Sequence, residues 1–88
     1  MIKINNKEQA IEILSNDEKL AKAKKIEINY EQGFTAIIIE DQEKVCICQE
    51  DCYISEKTLE EIITDLCFKG GLSIYGETFK FINMVTTI

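Results

Sequence analysis

Ile26-Glu27-Ile28-Asn29-Tyr30-Glu31-Gln32-Gly33-Phe34-Thr35-Ala36-Ile37-Ile38-Ile39-Glu40 changes the period of the chain from helical to two. Ile26, Ile28 and Tyr30 alternate with Glu27, Asn29 and Glu31, the pattern of a strand with one wet face. Glu31-Gln32-Gly33 reads as a turn. From Phe34 to Glu40 the apolar residues fall on both faces, which predicts a strand that is central or covered on both sides. Asp41-Gln42-Glu43 turns the chain again. Lys44 to Gln49 then reads as a third strand, with Val45 and Ile47 on one face and Cys46 and Cys48 on the other. Turns this short predict an antiparallel meander of three strands.

Upstream, Met1 to Ile4 alternates as a short strand. Asn5 and Glu8 then have the spacing of a capping box, and Ser15 and Glu18 repeat it, so one or two N-terminal helices are expected, ending near Lys24. Downstream, Glu50 to Tyr53 reads as a connector. Ser55 is placed as a helix cap, with Glu56 at the positive end of the helix dipole and Ile54 against Leu59 as a hydrophobic staple. Leu59, Ile62, Ile63, Leu66 and Cys67 give a helical stripe, and Gly70 gives its stop. Residues 72–84 read as a closing β-hairpin. The expected fold is therefore α+β in a single domain, 1–88. One or two N-terminal helices precede the three-stranded meander, one amphipathic helix covers it, and a C-terminal hairpin extends or covers it. The expected core is Ile11, Leu14, Ile26, Ile28, Phe34, Ile38, Val45, Ile47, Leu59, Ile62, Ile63, Leu66, Ile74 and Phe81.

The 88 residues contain no His, Arg, Trp or Pro. Without His the commonest neutral-pH acid and base is missing, and Cys–His or Ser–His catalysis is excluded. Without Arg there is no bidentate grip on phosphate or carboxylate. No nucleophile has a visible base partner, so no catalytic residue, no cofactor and no enzymatic activity are expected. No apolar run approaches the roughly 20 residues of a membrane helix, and no secretory signal is visible, so the expected location is the cytoplasm with no membrane partner. Ten Lys without Arg, with much Ile, Asn and Glu, point to a low-GC bacterium or its phages.

The net charge of −6 is unevenly placed. Residues 1–39 balance six acids with six lysines. Residues 40–65 hold nine acids, Glu40, Asp41, Glu43, Glu50, Asp51, Glu56, Glu60, Glu61 and Asp65, against Lys44 and Lys57 alone. Like charges one helical turn apart cost about 0.2–0.5 kcal/mol per pair, so stability gives no reason to gather them. One reading is a structural or dimerisation domain whose acidic face only aids solubility. The other is a partner-binding face in which those nine carboxylates occupy a basic groove built for nucleic acid, with long-range steering toward it. Direct nucleic-acid binding has the wrong sign of field.

Cys46, Cys48, Cys52 and Cys67 lack the C-x-x-C spacing of a zinc site. A C-x-C on a strand separates its Cα atoms by roughly 6.7 Å, too far for an easy disulfide. The cysteines read as free thiols, with Cys67 on the apolar stripe and no metal expected. A cysteine-dependent metal or redox module stays as an alternative. Ile37, Ile39, Cys46 and Cys48 make a second apolar sheet face, to be covered by the closing hairpin in a monomer or by a second copy in a weak homodimer.

The segment Ser73-Ile74-Tyr75-Gly76-Glu77-Thr78-Phe79-Lys80-Phe81-Ile82-Asn83-Met84-Val85 is similar in pattern to a hairpin in an inhibitor family from Listeria prophages. In size, acidity and element order the whole chain resembles the small anti-CRISPR proteins of phages and prophages of low-GC bacteria. The resemblance implies a non-enzymatic inhibitor of a CRISPR effector nuclease that acts through an acidic, nucleic-acid-mimicking surface. It assigns no residue.

Overall fold

A computed structural model describes residues 1–39 and 44–87. Seven strands and three helices are found among them, in the order β1 (Ile2–Ile4), α1 (Lys7–Leu14), α2 (Asp17–Lys22), β2 (Lys25–Tyr30), β3 (Phe34–Ile39), β4 (Lys44–Gln49), β5 (Cys52–Thr58), α3 (Leu59–Lys69), β6 (Gly71–Ile74) and β7 (Glu77–Thr87). The strands form one antiparallel sheet in the order β1-β7-β2-β3-β4-β5, with β6 paired to β7.

This corrects the expected architecture. The three-stranded meander is the middle of a seven-stranded sheet, and two features of the sequence concealed the rest. The segment read as a connector and helix cap, Cys52 to Thr58, is a fourth meander strand. It is polar because it is a sheet edge, where charged side chains blunt unwanted pairing. The closing hairpin is not a lid. Its long strand β7 returns beside β2 and continues in the plane of the sheet, with β1 beyond it.

Period-two alternation builds the core. One row runs straight across the sheet through Ile4, Met84, Ile28, Ala36, Ile47 and Ser55. All but Ser55 are buried, and Ile26, Tyr30, Phe34, Ile38 and Val45 extend that face. Ala10 and Leu14 of α1 and Ile62 and Leu66 of α3 pack onto it in the same cluster. Ile11, Leu59, Ile63 and Phe81, expected in the core, only flank it. Ile4, Ala10, Tyr30, Ala36, Leu72, Phe79 and Met84 join it instead.

Helix starts follow side-chain caps. Asn6 caps α1 and Asn16 caps α2, each accepting a backbone N–H at 3.1 Å. For α3 the cap is Thr58, not Ser55. Thr58 and Glu61 exchange reciprocal bonds at 3.1 Å in a capping box, so Ser55 and Glu56 belong to β5. Gly70 closes α3 with φ of 71°. Cys67, expected on the buried stripe, is exposed, and Phe68 beside it is 84% exposed. No described helix is long and apolar enough to cross a membrane.

Candidate functional site

The described acids of residues 40–65 do not form one face. Glu40, Asp41 and Glu43 lie outside the described residues. Glu50 and Asp51 form the two-residue β4–β5 turn, with φ of 48° and 68°. Two positive φ values in succession match the twist of a hairpin, a geometry that Asn-Gly fills most easily. Glu56, Glu60 and Glu61 sit toward the other end of β5, and the strand puts roughly 20 Å between the two groups. Glu56 meets Lys44 at 3.8 Å, and Glu61 is engaged in the α3 capping box.

Asp65 faces inward. Its Oδ2 accepts from Lys57 Nζ at 2.6 Å and from the Ser73 N–H at 3.2 Å, and both charged side chains are less than one-fifth exposed. Lys57 also donates to the Ser73 carbonyl. This knot ties the edge strand β5 to α3 and β6. Asp65 lies off the apolar stripe of α3, on the side that meets Lys57.

What the sheet does bring together at one end is Glu50, Asp51 and Glu31. Glu31 was hidden in the balanced N-terminal half. It begins the β2–β3 turn, whose Gln32 and Gly33 have φ of 60° and 78°. The two turns are joined by the Glu50 N–H donating to the Gly33 carbonyl, and by Gln49 Nε2 donating to the Gln32 carbonyl, each at 3.1 Å. A Cβ at Gly33 would lie 2.9 Å from Glu50 Cγ and would force a left-handed φ on a side chain, so Gly permits the close approach. Glu31 accepts the Lys80 N–H at 3.1 Å, which fixes its carboxylate. Glu31, Glu50 and Asp51 join none of the ion pairs among the described residues. The meander register, with Gln49 opposite Phe34, is the signal that would have found Glu31.

Near the Lys57–Asp65 knot lies a buried phenol. Tyr30 is 2% exposed and its hydroxyl has no hydrogen-bond partner among the described residues. Burial first, then the Asp65 carboxylate, hold its ionisation well above the ordinary value of 10.0. The folded chain keeps this proton while the unfolded chain releases it as pH passes 10.0, so stability falls as pH rises above that value. Tyr30→Phe should flatten that alkaline loss. It should change stability at neutral pH by less than about 1 kcal/mol, because the hydroxyl it deletes is already unpaired. Urea denaturation at neutral and alkaline pH reads both effects.

The cysteines are dispersed. Cys46 and Cys48 are half-buried on the open face of β4, Cys52 is exposed at the start of β5, and Cys67 is exposed on α3. Among the described residues no three His, Cys, Asp or Glu side chains are grouped to hold a metal ion. A cavity of about 280 Å³ between α2 and the β1 edge is lined by Ile2, Ile13, Ala23 and Thr86 with Lys19 and Lys22, and Lys19 pairs with Glu12 at 3.0 Å. No protein-family model, curated protein or solved structure matches the chain.

Proposed function

We propose that the chain is a non-enzymatic inhibitor or regulator encoded by a mobile element and acting in the bacterial cytoplasm. Its acidic end occupies a basic nucleic-acid-binding groove on a partner protein such as a CRISPR effector nuclease. One observation carries this reading. Two tight turns from different parts of the sequence are hydrogen-bonded into a single rim, which presents Glu31, Glu50 and Asp51 with no cation among the described residues paired to them. Carboxylates fixed on rigid hairpins hold their spacing without an ordering cost on binding. Their uncompensated field steers them toward a basic surface.

The test is affinity capture from host extract at about 50 mM and about 500 mM salt, where the screening length falls severalfold. The expected result is a basic, nucleic-acid-handling protein retained at low salt and lost at high salt. It should also be lost from a Glu31→Lys, Glu50→Lys, Asp51→Lys variant, and kept by Glu8→Lys with Glu18→Lys on the helical layer. Capture that survives high salt and the triple reversal would return these acids to a solubility role.

A further inference from the structure

All three helices pack on one face of the sheet, and the opposite face is only half-buried. Its apolar part lies on β3 and β4, beside a hydrogen-bonded row of Asn83, Asn29 and Thr35. Ile37 and Ile39 of β3 stand beside Cys46 and Cys48 of β4, with Val85 and Tyr53 further out; Ile39 is 48% exposed and Tyr53 62%. The charges on this face are nearly balanced, with Lys3, Lys25 and Lys44 against Glu27 and Glu56. It therefore carries none of the net charge of −6. A second copy of an acidic chain meets the least repulsion here, and a basic partner gains nothing from it.

The order of those charges is more specific. One row across the sheet contains Lys3, Val85, Glu27, Ile37, Cys46 and Glu56, with Lys3 at its β1 end. The adjacent row contains Thr87, Lys25 and Ile39, and on the far side Lys44 and Thr58. Both glutamates lie in the first row and both of their lysine partners in the second, paired within the chain at 2.8 Å for Lys25–Glu27 and 3.8 Å for Lys44–Glu56. A two-fold axis that crosses the strands midway between the rows exchanges them in a facing copy. Ile37 then packs on the partner copy's Ile39, and Lys25 lies over the partner copy's Glu27.

We infer that a second copy of this chain covers the open face, sheet on sheet, about that axis. Such an interface is isologous and self-complementary in charge. Two sheets stacked at about 10 Å leave room for the Ile37 and Ile39 side chains to interdigitate. The axis reverses the strand direction, so the rims bearing Glu31, Glu50 and Asp51 point to opposite ends of the dimer. The interface is therefore independent of the function proposed above, and either can fail alone.

Sedimentation equilibrium of the full chain over roughly 1–200 μM tests this. The expected result is a dimer that Ile37→Lys converts to monomer at every concentration with an unchanged far-UV circular dichroism spectrum. Lys25→Glu, an exposed change with little effect on folding, should weaken the dimer at least about tenfold. Adding Glu27→Lys to it should restore association, since the swapped pair again meets its opposite. A wild-type chain that stays monomeric throughout, or a dimer indifferent to Ile37→Lys and Lys25→Glu, overturns the proposal. Loss with Lys25→Glu that the double swap does not restore overturns the axis.

Discussion

Gly71→Ala should destabilise the fold by at least about 3 kcal/mol, because the added methyl has no space and its neighbour is backbone. A Cβ at Gly71 would stand 2.0 Å from the Phe79 carbonyl oxygen and 2.7 Å from its carbon. Gly71 pairs with Lys80 in the β6–β7 ladder, so the clash falls between strands that are hydrogen-bonded. Relief requires β7 to move at Phe79, whose ring lies 4.4 Å from that of Phe34 in the core. The displacement would thus pass directly from the hairpin into the meander. In a chain of this size it corresponds to a melting temperature lower by at least about 12 °C. Gly76→Ala is the control. Its Cβ meets nothing within 4 Å, and only its φ of 75° opposes a side chain, so the cost is about 1 kcal/mol. Thermal melts of both variants, followed by circular dichroism, separate the two causes. Equal small losses would show that β6 and β7 are not packed as described.

The second large effect is expected at Asp65. Asp65→Lys should cost more than about 3 kcal/mol, since it sets one buried ammonium against another and strips the Ser73 N–H of its acceptor. Truncating Lys57 to Met alone leaves Asp65 charged and poorly solvated. Replacing both residues with apolar ones should cost less than either single change, because the desolvation penalty leaves with the charge. A double-mutant cycle in urea gives the coupling directly. Additive losses would mean that the pair is solvated and outside the packed structure. This prediction also bears on any search for a binding surface. Reversing the α3 acids as a group would unfold the chain before it said anything about a partner, whereas Glu50 and Asp51 join no ion pair among the described residues and Glu31 gives up only its exposed hydrogen bond from the Lys80 N–H.

Residue patterns reveal some of this molecule and conceal the rest for identifiable reasons. Ile26, Ile28 and Tyr30 announce β2 because one face is buried and the other wet. The α3 stripe is visible in Ile62 and Leu66 for the equivalent helical reason. Strand β5 is not, because an edge strand with Glu56 and Lys57 near its end lacks apolar alternation. The polar Glu-Asp turn before it also lacks the Asn-Gly signal of a two-residue hairpin. Ser55 looks like a helix cap because Thr58, the residue that does cap, lies only three positions further on. The placement of the described acids is hidden from the sequence by the same mechanism. A charge count along the chain treats residues 40–65 as one region, while the β4–β5 hairpin carries its acids to opposite ends of a strand. It also hides Asp65 against Lys57 and adds Glu31 from a segment that counted as neutral.

For the acidic rim, the most direct measurement is equilibrium competition between the chain and nucleic acid for the captured partner. If Glu31, Glu50 and Asp51 stand in for backbone phosphates, nucleic acid and the chain exclude one another. The apparent dissociation constant of the chain then rises in proportion to the nucleic acid added, and the triple charge reversal removes the effect along with the binding. A partner that holds the chain with undiminished affinity while saturated with nucleic acid would contradict that account.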